Sequence, residues 1–203
     1  MRAFMSSLDQ GQTHRDAIAD VVPTLKTERL TLRAPRSSDW AILEPIWTTD
    51  RAQFIGGPFN EEDAWLDFCQ ATAGWILRGA GFWTVTRTAD GQVLGLSGLG
   101  QETSDPELEL GWLFTADAEG LGYAFEAAIA IRAWAFAQGF DGFVSNIDPG
   151  NARSIALAER LGASLDPDAP ASAPDNLVYR HSRNTASLQP KYSHPISTKE
   201  HAQ

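Results

Sequence analysis

Cysteine is almost absent from the chain. Cys69 is the single one in 203 residues, so no disulfide can form within it. Histidine is nearly as scarce: His14, His181, His194 and His201 lie mostly in the terminal stretches, and with one cysteine they give no metal-ligand spacing. No metal is therefore expected. Positive charge is also in short supply, with 16 basic against 26 acidic side chains and a net charge of −10. Such a balance argues against a nucleic-acid partner and suits a neutral or cationic ligand. No apolar run is long enough to cross a bilayer, and the opening "MRAFMSSLDQGQTHRDAIAD" has no apolar stretch of signal-peptide length. A cytoplasmic protein without a membrane partner is the expectation. Two phosphate-loop signatures are missing as well. No lysine follows a glycine loop in the Walker manner, and "GLGYAF" puts Phe125 where a dinucleotide fingerprint needs a small residue. "GLSGLG" around Ser97 lacks the glycine spacing of a nucleophile elbow.

What is present is the composition of one globular domain, 43% hydrophobic and 21% charged. Residues 1–24 and 184–203 are polar and weakly patterned, so they read as an arm and a tail around a domain at 25–183. "TLKTERLTLRAP" alternates through Leu30 and Leu32 as one strand would. "SSDWAILEPIWTTD" predicts a helix with a Ser cap that Pro45 kinks or breaks. "NEEDAWLDFCQATAGWILRG" predicts a second helix capped by Asn60, with Trp65, Phe68, Cys69, Thr72 and Ile76 on one face. A hairpin follows, Phe82 to Arg87 and Val93 to Leu99 around Asp90-Gly91. "ELELGWLF" is a third strand, where Gly111 marks a bulge or a close approach. A long apolar helix begins after Gly120 and Gly122 and ends at Gly139. "GFVSNI" is a strand, "NARSIALAERLG" a helix capped by Asn151, and "NLVYRHS" a last strand. The order β, α, α, β, β, β, α, β, α, β predicts an α/β sheet domain with helices on its faces.

The two glycines before the long helix pose the functional question. They either shape a turn or strip the backbone so that a ligand can reach the free N–H groups of a helix start. Together with "ELGWLF", "EGLGYAFEAA" and "NARSIALAERLG", they make the sequence resemble the GNAT acetyltransferases, in particular the ribosomal-protein N-acetyltransferase branch. "LKTERLTLR", "FIGGPFNEEDAW" and the "GFWTVTRTADGQVLGLSGL" hairpin extend the likeness over residues 25–183.

The resemblance implies a mixed, mostly antiparallel sheet with helices on both faces and a splayed, bulged central strand. It implies acetyl-CoA as cosubstrate and a primary amine acceptor, either a protein N-terminus or a small molecule such as a polyamine, aminoglycoside or amino acid. A non-catalytic acyl-CoA sensor and a monomer or homodimer fit it too. By the same likeness the pyrophosphate would lie on Glu119, Gly120, Leu121, Gly122, Tyr123 and Ala124. The pantetheine arm would follow the backbone of Trp112, Leu113 and Phe114 and meet Asn151 and Ser154. Glu109, a charge in an otherwise apolar strand, would take the amine proton directly or through a water, and the departing thiolate would be protonated by Ser154, by another group or by water. The chain departs from the family twice. Glu119 replaces a usual Arg or Gln, and Ala158 stands where many members carry a tyrosine acid.

Overall fold

The computed structural model describes residues 19–103 and 105–183. The predicted arm and tail lie largely outside these residues. Val22 is buried in the main core and the Pro23 carbonyl accepts a bond from Trp83 Nε1 at 2.6 Å, so packing begins ahead of residue 25.

Eight strands form one sheet in the order β1-β2-β3-β4-β5-β6-β8-β7. They are β1 (Leu25–Lys26), β2 (Leu30–Arg33), β3 (Phe82–Arg87), β4 (Val93–Gly100), β5 (Glu109–Phe114), β6 (Gly142–Ile147), β7 (Ser164–Leu165) and β8 (Leu177–Ser182). All neighbours pair antiparallel except β5 and β6, which run parallel and share one register pair, Glu109 with Val144. Beyond that pair the two strands part. The sheet thus opens at its centre, as the resemblance implied. The bulge lies elsewhere than expected: Leu94 of β4 is the extra residue opposite Val85 and Thr86, and β5 pairs regularly through Gly111. Gly111 marks a close approach instead, since a Cβ there would sit 2.7 Å from the Phe82 ring.

The helices are α1 (Trp40–Leu43), α2 (Pro45–Thr48), α3 (Glu61–Leu77), α4 (Tyr123–Ala137) and α5 (Ala152–Arg160). No helix among the described residues is long and apolar enough to cross a membrane. Pro45 divides the predicted first helix and opens its second half. The Ser cap is not formed. Asp39 is buried there instead, held by Arg33, the Arg36 N–H and the Thr84 hydroxyl. Asn60 and Asn151 cap α3 and α5 as predicted, accepting from the N–H groups of Asp63 and Ser154. The buried face of α3 is rotated from the predicted one. Ala64, Phe68 and Trp75 are inside and Ile76 is 69% exposed, because Trp75 donates to the Phe82 carbonyl and packs edge-on against Trp83 and Trp134.

One core, on the α4 face of the sheet, gathers Leu30, Leu32, Val85, Leu110 and Phe114 against Ala127, Ala128, Ile131 and Ala135. A second, under α1 and α2 and the start of α3, joins Trp40, Leu43 and Trp47 to Phe68, Val93 and Leu96. The packed faces hold β5 in place while its edge toward β6 is left open.

Candidate active site

A cleft of about 1190 Å³ runs along the parted edge of β5. The residues expected at the site converge on it: Glu109, Trp112, Leu113, Phe114, Glu119, Gly120, Gly122, Tyr123, Ala124, Asn151 and Ser154 all line its walls. Leu121 is half-exposed beside them, with its carbonyl taken by Arg29 at 3.0 Å.

Strand alternation decides which backbone groups face the gap. The Leu110 carbonyl accepts from Ser145 Oγ on β6 at 2.7 Å and the Phe114 carbonyl from Arg51 at 2.5 Å, whereas the Gly111 carbonyl points to Ser97 on β4. The N–H and C=O of Trp112 therefore point into the opening. Leu113 corrects the expectation in part. Its backbone belongs to the ladder with Leu96 on β4, and it reaches the cleft through its side chain.

At the N-terminal end of β5, Glu109 is mostly enclosed. Its carboxylate accepts from the Asn146 backbone N–H at 3.2 Å and from Asn146 Nδ2 at 3.0 Å. Burial outweighs these bonds and, with the charges of Asp105 and Glu102, raises its pKa to about 7. Burial together with Asp105 and Asp67 also pushes Glu102 up. Asp67, raised by burial, accepts from Trp47 Nε1 at 2.5 Å.

At the other end the glycine loop enters α4. Gly120 and Gly122 have φ of +73° and +79°, so the turn itself requires glycine at both. A Cβ at Gly120 would meet nothing within 4 Å, and one at Gly122 only Arg29 Nη2 at 3.5 Å. The loop is thus both a turn and an uncovered backbone. The first bond of α4 runs from the Glu126 N–H to the Gly122 carbonyl, which leaves the N–H groups through Phe125 without a helical acceptor. Arg29 braces the loop from behind through Glu126 and stacks on Tyr123.

Glu119 does not face the loop as a bare carboxylate. Arg51 grips it at 2.6 Å and Arg153 from the other side. Burial pushes its pKa up, yet the hydrogen bonds from the two guanidiniums prevail and hold it below the usual range. Neither arginine was among the residues singled out from sequence, since each lies far along the chain from the loop. The one local signal was Glu119 itself, an acid in a place that calls for a cation.

Ser154 receives Trp112 Nε1 at 3.1 Å, leaving its own hydroxyl hydrogen for another acceptor. Ala158 is buried against Ile147, Ala163 and Tyr179 and does not line the cleft. Tyr179 turns to Glu159 at 3.4 Å and offers no replacement acid to the site. Cys69 lies outside the cleft, and burial raises its pKa.

The comparisons agree with this geometry. The family described as "Acetyltransferase (GNAT) domain" matches residues 29–164. An acetyltransferase structure from Agrobacterium tumefaciens is 40% identical, covers 80% of this chain and 95% of its own, and superposes with a TM-score of 0.77. The uncharacterized protein YkkB of Bacillus subtilis is 28% identical over 145 residues, 68% of this chain and 83% of its own. A ribosomal-protein α-N-acetyltransferase, RimL, solved with coenzyme A, shares the fold with a TM-score of 0.63 at 16% identity, over 79% of this chain and 98% of its own. An opened sheet, a glycine turn on a bare helix start and a matching domain sequence coincide in one chain, which belongs to the GNAT acetyltransferase family.

Proposed function

We propose that this protein is an N-acetyltransferase that uses acetyl-CoA to acetylate a primary amine by direct attack. The observation that carries the reading is Glu109. It is a carboxylate with a pKa of about 7 in the cleft that also holds the bare N-terminus of α4. A base poised near neutral pH can take a proton from an ammonium ion and lose it again in each turnover.

The cosubstrate supplies a thioester carbonyl already activated toward nitrogen. The fit to this chain is good. The uncovered N–H groups of residues 121–124, at the positive end of the α4 dipole, suit a pyrophosphate. The Trp112 backbone suits the amides of a pantetheine arm, and its N–H is a candidate donor to the carbonyl oxygen as charge develops there. Glu109 would accept the proton of the incoming amine, directly or through one water, as the new C–N bond forms. Ser154 would deliver its hydroxyl proton toward the sulfur as the C–S bond breaks, with Trp112 Nε1 orienting the oxygen. Asn151 would act by capping α5 and so setting where Ser154 stands. No covalent enzyme intermediate is invoked, since Cys69 lies outside the cleft.

The acceptor is read from the other lining. Asp67, Glu102 and Asp105 stand with Glu109 on the cleft wall, which favours an amine with additional positive charge, such as a polyamine or aminoglycoside, over a neutral one. A protein N-terminus followed by basic residues meets the same requirement.

The test is release of free CoA thiol from acetyl-CoA, measured against a panel of polyamines, aminoglycosides, amino acids and N-terminal peptides. Turnover with at least one amine is expected. Binding of acetyl-CoA without turnover of any amine would favour the sensor reading instead.

A further inference from the structure

The arginines around Glu119 are arranged in a way that simple ion pairing does not require. One carboxylate sits between two guanidiniums, so the group carries a net charge of +1 in a chain whose total is −10. All three side chains line the cleft, beside the glycine turn. They come from three elements: Arg51 from the short turn of helix Asp50–Phe54, Glu119 from the residue before Gly120, and Arg153 from the first turn of α5. Arg160, also on the cleft wall, stacks on Phe125 of α4 at 3.8 Å.

The two arginines are held differently. Arg51 is 25% exposed and fixed at its terminal nitrogen by both the Phe114 carbonyl and Glu119, while its Nε is shielded from solvent without a hydrogen-bond partner. Arg153 is 71% exposed, so its pairing with Glu119 is worth little by itself and is readily exchanged for a stronger anion. Two guanidiniums converging on one spot repel, and Glu119 makes their approach tenable before any ligand arrives.

We infer that Glu119 is a positioning residue, which assembles Arg51 and Arg153 into a clamp for the phosphates of CoA. The inference rests on the acetyl-CoA reading above. Here the cation that the loop lacks in sequence is supplied from two other elements, and the carboxylate in its place is what holds them there. Arg51 acts as the fixed arm and Arg153 as the arm that turns to phosphate. The arrangement makes an unusual demand on sign: removing a negative charge next to an anion site should weaken anion binding.

Titration calorimetry with CoA and with pantetheine, which lacks the phosphates, tests this on the wild-type chain and on Glu119→Gln and Arg153→Ala. Arg153→Ala alters an exposed side chain and should fold normally. It should weaken CoA by about tenfold, the usual scale for a hydrogen bond to a charged group, with pantetheine unchanged. Glu119→Gln should weaken CoA in the same direction, again sparing pantetheine. CoA binding that is equal or tighter in Glu119→Gln would overturn the inference, and so would equal losses for CoA and pantetheine in either variant, which would mark a merely structural role. Failure of the wild-type chain to bind CoA at all would instead overturn the acetyl-CoA reading on which the inference stands.

Discussion

Glu109 and Glu119 are glutamates on the wall of the same cleft, at opposite ends of the segment that begins with β5, and their surroundings drive them apart. Glu109 has burial and two nearby carboxylates, Asp105 and Glu102, against two bonds from Asn146, and its pKa climbs to about 7. Glu119 has burial against two arginines, and its pKa falls below the usual range. Strand β5 alone separates Glu109 from Phe114 by five residue steps, about 17 Å at the rise of a strand. Over that distance the cleft passes from an acidic wall suited to moving protons to a cationic one suited to holding anions. The role of a carboxylate here is set by its neighbours, with an acid that titrates near neutral pH at one end and a carboxylate held in its charged form by two arginines at the other.

If the two ends are functionally distinct, variants at each should move different quantities. The largest effect is expected for Glu109→Gln, which should lower turnover at neutral pH by on the order of 10²-fold while leaving CoA affinity at the wild-type value. Steady-state kinetics beside calorimetry checks this, and a loss of CoA affinity would merge the two ends into one.

The same substitution should change stability in the opposite sense. Below pH 4.5 Glu109 is protonated in both folded and unfolded chains. Between 4.5 and about 7 the unfolded chain releases the proton and the folded chain keeps it, so the contribution of this group to stability is lost as pH rises across that window. Glu109→Gln lacks this loss and should be more stable than wild type above pH 7, by about 3 kcal/mol, without CoA. Denaturant unfolding at pH 5 and pH 8 measures it; a variant less stable at pH 8 would mean that the Asn146 bonds matter more than the burial.

At the cationic end the tenfold change in CoA affinity already described should leave the rate at saturating acetyl-CoA nearly unchanged, because the phosphates lie far from the reacting carbon. The smallest effect is expected at the turn. Gly122→Ala should cost about 1 kcal/mol of stability through its left-handed backbone, and Gly122→Asn less, since asparagine tolerates that region. Thermal unfolding of both separates backbone strain from phosphate access, which a bulky substitution at Gly122 would confound.

Much of this layout was legible from local pattern. The Asn60 and Asn151 caps, the Asp90-Gly91 hairpin, the glycine turn and the break at Pro45 each depend on residues within a few positions, so sequence reveals them. The misses were tertiary. The first strand is in fact two, β1 and β2, and β7 escaped notice because its two residues are defined only by pairing with β8. The apparent Ser cap yielded to Asp39, captured by Arg33 and by Thr84 from 45 residues away. The face of α3 turned to serve the Trp75, Trp83 and Trp134 cluster. In the site, Glu109 was conspicuous as a charge in an apolar strand. Its partner Asn146 and the arginines of Glu119 lie 34 to 68 residues away in sequence, beyond any periodicity.

Whether Glu109 is the base of an acetyl transfer is decided by the pH dependence of kcat/KM for wild type and Glu109→Gln with an accepted amine. The wild-type profile should rise through an inflection near pH 7, as Glu109 loses its proton in the free enzyme. The variant should lack that inflection, with its deficit shrinking at high pH where the amine is already deprotonated. A variant that keeps both the wild-type inflection and the wild-type rate would contradict the account.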